Sequence, residues 1–137
     1  MSNTLSISLQ NDKAELTKVN RALTEFLTPK ELSPRINNAV NLVIEELLMN
    51  IVQYGFEDED VHTIKLDVEV DFERIAITFT DDGVEFNPLA LPRPDRSRPA
   101  IERIENGLGI NLVRRIRKAM EYQRADGKNI LKIWIDR

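Results

Sequence analysis

The chain has 137 residues, no cysteine, 19 Lys and Arg against 23 Asp and Glu, and 42% hydrophobic side chains. Length and apolar content suit one domain with a real core, expected over residues 1–137. Disulfides, iron–sulfur clusters, thiolate zinc sites and thiol nucleophiles are excluded, a single histidine leaves no His-based metal cage, and the net charge of −4 speaks against an electrostatically driven nucleic-acid binder.

No apolar run approaches the ~18 residues of a membrane span. The polar opening is not that of a signal peptide. A cytoplasmic protein without a direct nucleic-acid or membrane partner is expected. Leu5, Ile7 and Leu9 alternate with polar residues and predict a first strand. Asn11 and Asp12 are candidate caps for a helix running to about Thr28, with Leu16, Val19, Leu23, Phe26 and Leu27 at helical spacing and Pro29 as its stop. Ser33-Pro34 is an N-cap followed by a proline at the first helical position, and predicts a second helix to about Tyr54 with Gly55 at its C-cap.

Ile64, Leu66, Val68 and Val70, then Ile75, Ile77 and Phe79, alternate with polar residues on either side of a turn at 71–73. They predict an antiparallel hairpin with one apolar face. Residues 81 to about 106 form a long proline-bearing stretch of the kind that carries function. A third helix is expected at about 108–118. A last hairpin follows, from Met120 through Asp126-Gly127 to Ile130 and Ile135. The expected fold is therefore α+β, a two-layer sandwich with a largely antiparallel mixed sheet and three main helices on one face.

Within the second helix, Glu46 and Asn50 lie one turn apart on one face, about 40° from each other. Gln53 falls beside them, with Val40, Val43, Ile44, Leu47 and Ile51 on one flank and Leu42 and Met49 on the other. Such a strip can be a half-buried pair bonded to loop backbone. It can also be chemical: an Asn oxygen suits magnesium, which takes its other oxygens from phosphates and water, and a Glu one turn away can accept a proton from a hydroxyl. Glu45 points elsewhere and is expected to be solvated.

Two glycine segments bear on the choice. Asp81-Asp82-Gly83 leaves a strand directly, either as an ordinary turn or as a place where backbone approaches closely and a carboxylate accepts from an exocyclic amine. Gly107-Leu108-Gly109-Ile110 opens the third helix, where N–H groups can cradle phosphates. No Gly-Lys-Ser/Thr is present, which excludes a P-loop, and the third glycine of a dinucleotide fingerprint is missing.

The ordered set Glu46-x-x-x-Asn50, Asp81-x-Gly83, Gly107-x-Gly109-Ile110 resembles the GHKL ATPase superfamily over nearly the whole chain. It is most similar to the anti-sigma factor serine/threonine-protein kinase branch, with a histidine kinase-like ATPase fold. The resemblance implies ATP and Mg2+ as cofactors. It implies Asn50 as magnesium and nucleotide ligand, Glu46 as general base, Asp81 on the adenine amine and Gly83 as the close approach to the base. Phe86 continues that box, and Gly107, Leu108, Gly109 and Ile110 form the second glycine box on the phosphates. Residues of about 87–107 would be the lid, carrying Arg93, Arg96, Arg98 and Arg103. Glu85 replaces the pattern's second glycine, a position where a side chain resists positive φ and an inward charge would oppose phosphate.

Topoisomerases, chaperones and mismatch-repair proteins carry this domain within longer chains. A sensor histidine kinase needs a phosphoacceptor His on a dimerisation helix, whereas His62 begins a strand and is expected at its surface edge. The branch therefore implies phosphorylation of an anti-sigma antagonist of STAS type, with a sigma factor as alternate partner and a homodimer as assembly. A nucleotide-gated binding module without phosphoryl transfer is the alternative. Trp134 is expected as a sheet residue of the final strand.

Overall fold

A computed structural model describes residues 3–56, 58, 60–85 and 120–137. In chain order it contains β1 (Thr4–Gln10), α1 (Glu15–Leu27), a 3-10 turn (Thr28–Lys30), α2 (Pro34–Tyr54), β2 (Thr63–Val70), β3 (Arg74–Asp81), β4 (Met120–Ala125) and β5 (Lys128–Asp136). The strands form one sheet in the order β1-β2-β3-β5-β4. Every neighbouring pair among the described residues is antiparallel, so the mixed character expected of the sheet is not seen there. Short turns join β2 to β3 and β4 to β5, whereas β1 reaches its neighbour β2 through both helices. The third helix expected at 108–118 lies outside the described residues.

Period-two alternation divides the sheet into two chemistries. Ile64, Leu66, Val68 and Val70 of β2, Ile75, Ile77 and Phe79 of β3, and Leu131, Ile133 and Ile135 of β5 are all buried. They pack in one cluster with Val19, Leu23 and Leu27 of α1 and with Val40, Val43, Ile44, Leu47, Leu48 and Ile51 of α2. The opposite face is wet: Ser6 donates to Asp67 at 2.6 Å, and Trp134 lies between the cations of Lys132 and Arg74, 5.2 and 5.5 Å from its ring centre. A slip of one residue in any strand would exchange these faces, so burial sets the register.

The helix ends show what local chemistry can and cannot do. Ser33 Oγ accepts from the Ile36 amide at 3.3 Å and Pro34 occupies the first turn of α2, as expected from the sequence. Gly55 is the C-cap, in right-handed geometry, with its amide on the Ile51 carbonyl at 2.8 Å. The start of α1 differs from expectation. Asp12 accepts from the Ala14 amide at 3.0 Å in the preceding turn, and the helix begins only at Glu15. Asn11 is drawn away altogether, bonded through its backbone and side chain to residues 60 and 62. Pro29 does not stop the chain's helical path but sits in the 3-10 turn; Glu31, at φ 53°, ends it.

At the β2–β3 turn, Asp71 accepts from the amides of Glu73 and Arg74 at 2.8 and 2.7 Å. Asp126 and Gly127 both have positive φ, 51° and 74°, which is the backbone a two-residue hairpin turn requires between right-twisted strands.

Candidate functional site

Glu46 and Asn50 stand half-buried on one flank of α2, whereas Gln53 and Glu45 are exposed. The second apolar flank is incomplete, since Leu42 is 40% exposed. Neither Glu46 nor Asn50 makes a side-chain hydrogen bond among the described residues, so loop backbone there does not account for the pair. Burial, and then the neighbouring charge of Glu45, raise the Glu46 carboxyl above its ordinary value. A carboxylate shifted this way is a stronger base than an exposed one.

Magnesium fits the donors present in a restricted way. Asn50 offers one neutral, uncommitted amide oxygen, and no group of three or more His, Asp or Glu side chains suited to a metal occurs among the described residues. An ion held by Asn50 would therefore depend on phosphate and water oxygens for its remaining ligands.

Asp81 occupies the end of β3 on the same parity as Ile75, Ile77 and Phe79, so the alternation that buries those residues buries it too, at 5% exposure. The register sets Asn129 of β5 directly opposite, and Arg124 of β4 opposite Asn129. A polar row thus closes one end of the apolar, helix-covered face. Asp81 Oδ1 accepts from the Gly83 amide at 2.9 Å and from Asn129 Nδ2 at 3.0 Å. Its second oxygen has no hydrogen bond among the described residues. A carboxyl oxygen left uncommitted beside apolar surface is suited to receive an N–H from a ligand.

The loop after Asp81 is fastened from both sides. Arg124 donates to the Gly83 carbonyl at 2.7 Å. The Val84 amide donates to the Gly55 carbonyl at 2.8 Å. A Cβ on Gly83 would lie 2.1 Å from that same Gly55 oxygen, so the close approach of two backbones, and not positive φ, requires glycine there. Through this contact the end of the helix bearing Glu46 and Asn50 meets the loop that follows Asp81. Glu85 is exposed and is not among the residues with positive φ, so the backbone strain expected of a Glu at that position does not arise.

His62 is not the plain surface residue expected. Its ring stacks on Phe56 with centroids 4.4 Å apart. Nε2 lies 2.6 Å from Asp58 and Nδ1 3.2 Å from Asp82, the neighbour of Asp81. The hydrogen bond to Asp58, opposed by desolvation and assisted by Asp82, raises the imidazole above its usual value, and the same bond lowers Asp58. With a carboxylate on each nitrogen, both must donate, which is the protonated form.

Phe86, Gly107, Leu108, Gly109, Ile110 and the four lid arginines lie outside the described residues. Asn129, Tyr122 and Arg124 are functional candidates that sequence reasoning missed. Asn129 carried a signal nonetheless: it shares the strand parity of Leu131, Ile133 and Ile135, a polar residue in a row of buried ones.

Comparison with known proteins bears on the whole arrangement. A family model described as histidine kinase-like ATPase domain matches residues 9–135. Serine/threonine-protein kinase BtrW of Bordetella bronchiseptica is 28% identical over 101 residues, covering 74% of this chain and 71% of that protein. Serine-protein kinase RsbW of Bacillus cereus is 30% identical over 96 residues, 67% of this chain but only 59% of RsbW. The anti-sigma F factor of Clostridium beijerinckii is 24% identical over 101 residues, 71% of this chain and 69% of that protein. The chain belongs to the histidine kinase-like ATPase domain family, and it is similar to proteins named as serine/threonine kinases and as an anti-sigma factor.

Proposed function

We propose that this chain is an ATP-dependent serine/threonine-protein kinase of the anti-sigma type. Its substrate would be an anti-sigma antagonist of STAS type, in a pathway where a sigma factor is the alternate partner and the kinase acts as a homodimer. The observation that carries the reading is the buried Asp81 at the end of β3, one oxygen uncommitted among the described residues, followed by a loop seated against the end of the helix that bears Glu46 and Asn50. Asp81 would accept the adenine amine, Gly83 would admit the base, and Phe86 would flank it. Asn50 would hold magnesium, which supplies charge neutralisation at the phosphates. Gly107, Leu108, Gly109 and Ile110 would present backbone N–H groups to the phosphates, at the end of a lid over residues of about 87–107.

In the transfer step Glu46 takes the proton of the acceptor hydroxyl. The hydroxyl oxygen bonds to the terminal phosphorus, that phosphorus releases the bridging oxygen, and ADP leaves. Positioning and charge do most of this work. Among the described residues no helix is long and apolar enough to cross a membrane.

The test uses purified protein, labelled ATP, magnesium and a candidate antagonist domain. Label is expected on a Ser or Thr of the antagonist, lost in Glu46→Gln although that variant still binds ATP. Tight ATP binding with no transfer to any antagonist tried would point instead to a nucleotide-gated module.

A further inference from the structure

Tyr122, Asn129 and Asp81 form a chain of side-chain hydrogen bonds across three adjacent strands, on the face covered by the helices. Asn129 Nδ2 lies 3.0 Å from Asp81 Oδ1 and 2.7 Å from the Val84 carbonyl oxygen, while the Tyr122 hydroxyl donates to Asn129 Oδ1. An amide has one oxygen that accepts and one NH2 that donates twice. Turned over, its oxygen would face a carboxylate and a carbonyl, both acceptors, in a site where Asp81 and Asn129 are each only 5% exposed. Buried acceptors facing one another are expensive, so the hydroxyl of Tyr122 and the carboxylate of Asp81 together select one orientation.

That orientation constrains Asp81 in turn. Its Oδ1 is held by two donors, the Gly83 amide at 2.9 Å and the Asn129 amide at 3.0 Å, which leaves Oδ2 as the one acceptor without a partner among the described residues. A carboxylate fixed in this way rewards a ligand N–H and repels a ligand carbonyl. A loosely held one could rotate or tolerate either.

We propose that Tyr122 and Asn129 are positioning residues that set base selectivity: by fixing Asp81 with one open acceptor, they make the site prefer a 6-aminopurine nucleotide to its 6-oxo counterpart. This rests on Asp81 being the group that meets the base. Both residues act through Asp81 and make no hydrogen bond to Glu46 or Asn50, so their effect falls on discrimination between bases rather than on phosphoryl transfer.

The experiment titrates the full chain with ATP and with inosine triphosphate, each with magnesium, and compares wild type with Tyr122→Phe and Asn129→Ser. Tyr122→Phe keeps the ring and removes only the hydroxyl. Wild type is expected to prefer ATP. The preference should fall about fivefold in Tyr122→Phe, the equivalent of one neutral hydrogen bond, and about tenfold or more in Asn129→Ser. A purely structural role would lower the melting temperature or weaken both nucleotides equally, with the ATP-to-ITP ratio unchanged in folded variants; that result overturns the proposal. Equal affinity of wild type for both nucleotides overturns it as well, while leaving ATP binding intact. Failure of wild type to bind either nucleotide overturns it together with the reading of Asp81.

Discussion

Replacing Gly83 by alanine tests the junction on which the candidate site depends. The new Cβ would lie 2.1 Å from the Gly55 carbonyl oxygen, 3.0 Å from the Gly55 carbonyl carbon and 3.0 Å from Asp81 Oδ1. The first distance is inside van der Waals contact by about 1 Å, and its partner is backbone that cannot swing aside. Gly55 is itself held by its amide on Ile51, and its oxygen receives the Val84 amide, both at 2.8 Å. Relieving the clash therefore separates the loop from the helix end and weakens the Val84 bond. Overpacking of this kind destabilises by about 1–3 kcal/mol. Loss of one backbone hydrogen bond adds about 1 kcal/mol. Because Gly83 does not need positive φ, alanine returns roughly 0.4–1 kcal/mol by restricting the unfolded chain. The balance is a loss of about 1–3.5 kcal/mol, a fall in melting temperature of roughly 3–14 °C for a chain of this size. Urea unfolding followed by circular dichroism reads the stability, and calorimetric titration reads nucleotide binding, which should weaken by about tenfold or more because the Gly83 amide that holds Asp81 Oδ1 moves with the loop. An alanine variant within about 0.5 kcal/mol of wild type that binds ATP normally would show that the two backbones do not meet as described.

Three further outcomes follow from the same structure. Phe79, fully buried at the centre of the sheet, should lose about 3–5 kcal/mol on replacement by alanine, measured by urea unfolding; a loss under about 1 kcal/mol would contradict its place in the core. Glu46→Gln should reduce phosphoryl transfer by about a hundredfold or more and leave ATP affinity nearly unchanged. Its stability should show the reverse of a salt-bridged carboxylate. The folded value is raised above 4.5, so Glu46 favours the fold below that pH and loses this contribution as pH rises through its folded value; the glutamine variant should be at least as stable as wild type at neutral pH and forfeit the advantage in acid. His62 is raised above 6.5, so its clamp on Asp58 and Asp82 stabilises the fold below that pH and loosens as pH climbs through the raised value. Proton NMR should find the imidazole titrating above 6.5 in wild type and lower in Asp58→Asn, and a wild-type value at or below 6.5 would refute the clamp.

Much of the fold was legible because it is written at short range. Alternation in β2 and β3 identifies which residues face the helices, Ser33-Pro34 marks the start of α2, and Asp126-Gly127 marks a hairpin turn that the structure builds with two positive φ angles. The Glu46–Asn50 pair and the Asp81–Gly83 turn were visible for the same reason, each lying within one turn of helix or one turn of loop. Reading α1 from Asn11 failed because a competing partner, residues 60–62, lies far along the chain and captures that side chain.

Sequence alone thus determined the faces of the strands, the start of α2 and the hairpin turns, since each depends on the geometry of neighbouring residues. Only the tertiary structure decided what those residues meet. Asn129 reaches Asp81 across 48 positions, Arg124 reaches the Gly83 carbonyl across 41, and Gly83 packs on the end of α2. His62 finds Asp58 and Asp82 on either side of its ring. Such contacts follow from strand register and helix packing, which are set by burial of the whole apolar face, and no local pattern specifies them.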